Sequence, residues 1–156
     1  MTVVTPYLQK LEFIKRSLPR WATRAVLENA DWIISILQDK QLSLGLNSNQ
    51  QIVGRYAPTT ATFYGDDPQK KPRTDKTAGD PYNFEWFGEL FDSMNVKADT
   101  NRSEFDIFSS VGKIEELETI YGTKLGELTT QNNYIVNMQV VLPYLQQKIL
   151  DNLVLI

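Results

Sequence analysis

Neither cysteine nor histidine occurs among the 156 residues. That excludes disulfides, thiol redox chemistry, zinc sites of the Cys/His kind, and the Ser-His and Cys-His pairs that activate most nucleophiles near neutral pH. What is left for catalysis is Asp, Glu, Lys, Tyr, Ser and Thr, enough in principle for a carboxylate hydrolase or an oxygen-ligand metal site. No apolar run approaches the roughly 18 residues a membrane span needs. The opening Met1-Thr2-Val3-Val4-Thr5-Pro6 has no basic segment followed by an apolar one, so synthesis and folding in a cytoplasm are expected. A net charge of −3 gives no strongly basic face, and direct nucleic-acid binding is not expected.

The length suits one domain, taken as 1–156. Thr5 before Pro6 reads as a helix start, followed by Tyr7, Leu11, Ile14 and Leu18 on one face until Pro19 interrupts. A longer helix is expected over 20–44, with Ala22, Ala25, Val26, Ile33, Ile36 and Leu37 on one side and Gly45 ending it. Trp21 and Trp32 flank that face and are assigned to core or inter-subunit packing.

Over 47–82 the helical period vanishes, and Gly54, Gly65, Gly79 and four prolines punctuate the chain. So long a connection is atypical of compact domains and is either disordered or an arm whose order comes from a partner, and the arm is favoured. Its apolar anchors, Ile52, Val53, Tyr56, Phe63 and Tyr64, are more than a solvated linker needs, and 50–56 could form a short strand. The basic stretch 69–76 contains Lys70, Lys71 and Arg73. A solvated loop, contact with an acidic surface of a neighbouring subunit, and nucleic acid are three readings open for it; solvation is the commonest fate of charge runs.

Phe84, Phe87, Phe91 and Met94 mark a short amphipathic helix. Then Met94, Val96 and Ala98, followed by Phe105 and Ile107, alternate with polar residues about Asp99-Thr100-Asn101-Arg102, as a β-hairpin does. A helix is expected from Lys113 to Tyr121, ended by Gly122, and a last one from about Thr129 with Ile135, Met138, Leu142, Leu145, Ile149 and Leu153 as its stripe. Pro143 should kink that helix by depriving the Gln139 carbonyl of its partner. The terminal Leu153, Val154, Leu155 and Ile156 are too apolar for a free tail and are expected at an interface. The fold class is thus α+β and predominantly helical: N-terminal helices and a long C-terminal helix packed with a hairpin, plus the arm.

No constellation of catalytic or metal-ligating residues emerges. Glu115, Glu116 and Glu118 fit a solvated helix face, while Asp66, Asp67, Asp75 and Asp80 lack the alternation of a calcium loop. Gly122 to Gly126 matches no phosphate-binding fingerprint, and the sequon Asn101-Arg102-Ser103 has no meaning without secretion. Neither an enzyme nor a cofactor is expected. Charge, however, is uneven: residues 1–58 carry seven Lys/Arg against four Asp/Glu, a balance of +3, and 59–156 carry nine against fifteen, a balance of −6. Such polarity suits head-to-tail contacts between copies, although it also arises by chance.

Several stretches resemble a small family of tailed bacteriophages and prophages of Bacteroidetes, including the crAss-like gut phages. They are Gln41-Leu42-Ser43-Leu44-Gly45-Leu46-Asn47-Ser48-Asn49 with Ile52-Val53-Gly54-Arg55-Tyr56, Gly79-Asp80-Pro81-Tyr82-Asn83-Phe84 with Gly88-Glu89-Leu90-Phe91-Asp92-Ser93, and Gly126-Glu127-Leu128-Thr129. Gln50 stands where the family turn often has glycine. The resemblance spans about 30–150. It implies a virion protein of the neck or tail-completion kind, with no catalytic residue. The expected role is a ring or collar at the head–tail connector or in the tail, contacting its own copies and portal, neck or tail proteins through the arm and termini. A soluble phage-encoded binding or assembly factor, not retained in the virion, is the alternative.

Overall fold

The computed structural model describes residues 4–59, 77–84 and 88–154. Helix α1 runs from Val4 to Glu28 and passes straight through Pro19. The expected interruption does not occur, because Ile14, Ser17, Trp21, Ala25 and Val26 form one buried face on both sides of the proline. Packing on that face outweighs the one hydrogen bond Pro19 removes, whose orphan carbonyl belongs to exposed Lys15. The real break lies at Asn29, inside the single helix expected over 20–44. Its side-chain amide donates to the Ala25 carbonyl (2.8 Å), competing with the helical ladder. Helix α2 then spans Ala30–Lys40. A 3₁₀ turn at Leu42–Leu44 follows, and Gly45 stops it at φ 72°, the left-handed cap its position foretells.

The chain next folds a small buckle around buried Asn47. The Asn47 side-chain oxygen accepts from the N–H groups of Asn49 and Gln51, both at 2.9 Å, and its amide donates to Thr123 Oγ1 at 3.0 Å. Gln50 sits at φ 62°, where glycine is favoured. In place of the strand suggested for 50–56 there are two isolated bridges, Leu46 with Ile52 and Arg55 with Pro81. The second belongs to a docking of 77–84 against 53–56. Tyr56 N–H donates to Asp80 O (2.9 Å), Gly79 N–H to Tyr56 O (2.9 Å) and Tyr82 N–H to Gly54 O (3.0 Å). Both roots of the expected arm are therefore tied to the body.

Helix α3 is one turn, Glu89–Asp92, and leads into strands β1 (Met94–Asp99) and β2 (Glu104–Ser109). These pair antiparallel, with Met94 opposite Ser109 and Asp99 opposite Glu104. Asp99 Oδ1 closes the turn by accepting from Asn101 N–H at 2.9 Å. Helix α4 spans Lys113–Tyr121 and ends at Gly122, φ 63°. Helix α5 spans Thr130–Val136, and the Thr129 side chain caps it by accepting from Asn132 N–H (3.1 Å). A π-helical turn at Asn137–Val141 and helix α6, Leu142–Val154, complete the chain. Leu142 N–H reaches back to Asn137 O. The wide turn thus sits directly before Pro143 and absorbs the donor it lacks. It also shifts the helical phase: Asn132, Val136 and Val140 are buried, while Met138 and Leu142 of the expected stripe face outward.

The observed class is α+β and mostly helical. Its core gathers Val26, Ile33, Leu37, Leu42, Ile107 and Val136, with neighbours from α3 and α4, beneath the hairpin. An isolated hairpin would be marginal in water, and this one is held by the helices under it.

Candidate assembly surface

The first half of α1 pairs antiparallel with α6, so that Pro6, Gln9 and Phe13 lie beside Asn152 while Ala22 and Val26 lie near Asn137. Only Ile14 and Ser17 of α1's first four turns are buried, and α6 buries none of its side chains. Two helices alone cannot cover apolar residues on more than one face of each. The remainder point outward: Tyr7, Leu8 (56% exposed) and Leu11 (53%) on α1, Leu142, Leu150 and Val154 on α6. Val4, Leu8, Leu11 and Lys15 follow the i, i+4, i+7, i+11 spacing of a single helix face.

A second apolar feature is internal. Tyr82 packs edge-to-face against Tyr56 (centroids 5.0 Å) and Phe84 (6.3 Å) and tilted against Tyr121 (5.6 Å), clamping the roots of the 47–82 segment onto α4. The Tyr56 hydroxyl donates to Asn83 Oδ1 (3.0 Å) and accepts from Asn83 N–H (3.2 Å). Burial pushes the Tyr56 hydroxyl above the ordinary tyrosine pKa, opposed by the Asn83 N–H, and burial followed by Tyr82 raises Tyr121 likewise. Each proton is held more tightly in the folded chain than in the unfolded one. The corresponding stability is complete below about pH 10 and is lost as pH rises through the raised values. Lys113, raised by Glu116, and Lys124, raised by Glu118, act in the same direction. Tyr56→Phe should give a shallower alkaline fall of the unfolding midpoint than the parent; parallel profiles would assign the loss to Tyr121 and the lysines.

The carboxylates of α4 divide by role. Glu118 Oε1 accepts from Leu125 N–H (2.8 Å) and Gly126 N–H (3.1 Å), fixing the turn after α4. Glu116 holds Lys113 at 3.1 Å on the outer face, near exposed Ile120. Beside them, Glu104, Asp106 and Glu127 line a cleft of about 470 Å³ between α1, the hairpin and α5. Among the described residues no three acidic side chains are grouped so as to hold a metal ion. No helix among them is long and apolar enough to cross a membrane.

The residues expected to meet partners are thus scattered. Ile52 is exposed on the buckle, whereas Tyr56 is buried and occupied within the chain. Leu153 is half-buried on α6. Phe63, Tyr64, Lys70, Lys71, Arg73, Leu155 and Ile156 lie outside the described residues. What sequence reasoning missed is the exposed face of α1, because it placed only Tyr7, Leu11, Ile14 and Leu18 on an apolar face and gave Val4, Leu8 and Phe13 no role. The excess of Val4, Leu8 and Phe13 over the predicted face was the available signal. Comparison with known proteins finds no matching family model, no similar curated protein and no similar solved structure.

Proposed function

We propose that this chain is a structural component of a tailed-phage particle, assembling with its own copies into a ring or collar at the head–tail connector or in the tail. The phage assignment rests on the motif resemblance alone. Self-association is supported by one structural observation, the apolar surface along α1 and α6. Exposed apolar side chains recur along both helices, and a partner's surface removes the cost of leaving them in water. The action is mechanical: the helices and hairpin act as a rigid body, and assembly covers the apolar surface.

Mass spectrometry of density-purified virions tests this reading. The expected result is the chain at a fixed copy number relative to the portal protein. Absence from particles, with abundance in infected cells, would favour the soluble assembly factor instead.

A further inference from the structure

We infer that the α1 stem of one copy docks head-to-tail on the outer face of α4 in the next copy, an inference that rests on the self-assembly reading above. Two surfaces carry it. The stem face runs from Val4, Leu8 and Leu11 to Lys15, apolar then basic, within a helix holding five Lys/Arg against two Asp/Glu. The α4 face places Ile120 (64% exposed) one helical turn from Glu116, with Glu115 adjacent and exposed Val111 just before the helix. It is apolar then acidic: Lys113 pairs with Glu116 at 3.1 Å, and Glu115 keeps the face net negative.

The bodies differ in charge as the faces do. From Ala30 to Glu127 the described residues carry twelve Asp/Glu against six Lys/Arg. Glu118 does most to raise the proton affinity of Lys124, and Glu127 and Asp106 add to it from outside the helix, so the acidic field extends beyond α4 itself. Basic stem against acidic body is attractive, and the approach is steered by the long-range field. Stem against stem would bring two basic helices together and is disfavoured by the same argument. Because the two faces are different, every chain of docked copies leaves one stem and one α4 face open at its ends. Such a contact propagates until rotation closes it into a ring.

The test uses two full-length variants altered only at exposed positions. Leu8→Asp with Leu11→Asp disables the stem; Glu116→Lys with Ile120→Asp disables the face. Circular dichroism establishes that both fold, and sedimentation velocity reads association. The expected result is an oligomeric parent, two variants that are each monomeric, and a one-to-one dimer when they are mixed, since each supplies what the other lacks. A face variant that assembles like the parent overturns the docking and leaves self-assembly standing, as stem–stem packing would produce. Two folded variants that stay monomeric when mixed, beside an oligomeric parent, overturn it as well. A parent that is monomeric at every concentration, or that only binds vesicles of anionic phospholipid, overturns both the docking and the self-assembly reading.

Discussion

Gln41→Ala is expected to lower the unfolding midpoint by about 10 °C, from a loss of about 4 kcal/mol at the 2–4 °C per kcal/mol typical of this size. The Gln41 amide is completely buried at the end of α2 and joins it to the entry of α5. Its nitrogen donates to Glu127 O (2.9 Å), and its oxygen accepts from Thr129 N–H (3.0 Å) and Asn132 Nδ2 (3.4 Å). Alanine leaves the buried Thr129 N–H and the part-buried Glu127 carbonyl without partners, at roughly 1–3 kcal/mol each at most, and opens a cavity besides. Gln41→Leu separates the two terms. It fills the space while still orphaning the polar groups, so its midpoint should recover only partway toward the parent's. Full recovery would assign the cost to the cavity; an unchanged midpoint in both variants would mean that water replaces the amide.

That bridge marks where sequence reasoning stops. The hairpin, helix α4, Gly45, Gly122 and Thr129 were readable because each is written in neighbouring residues: alternation across Asp99-Thr100-Asn101-Arg102, or a cap at the end of a periodic run. Gln41 finds its partners 86 to 91 residues away, and no spacing rule reports a contact of that range. The same limit explains Pro19 and Pro143. Each is a local breaker, and one sits in an unbroken helix because a continuous buried face spans it, the other behind a π turn. Tertiary packing chose between kink, break and bulge. The stem face escaped for a related reason: periodicity locates an apolar stripe but does not say whether this chain or another copy covers it.

Gly45→Ala should cost about 3 kcal/mol or more, whereas Gly122→Ala should cost only about 1, although both glycines cap helices in the left-handed region. At Gly122, φ 63°, an added methyl meets nothing within 4 Å, so backbone strain is the whole penalty. At Gly45, φ 72°, the methyl would collide with the Tyr82 carbonyl oxygen and come within 2.8 Å of the Pro81 side chain. Neither can yield easily. Tyr82 is pinned by its N–H to Gly54 O (3.0 Å) and by its ring against Tyr56 and Tyr121, and Gly45 O is engaged by Val53 N–H at 2.8 Å. Relief therefore requires 77–84 to lift from 53–56, which releases the tyrosine cluster from α4. Hydrogen exchange distinguishes this from general destabilisation: in Gly45→Ala the amides of Tyr56, Gly79 and Tyr82 should lose protection before those of β1 and β2. If all amides exchange together, the returning segment is no separate unit and the cost of Gly45→Ala belongs to the whole core.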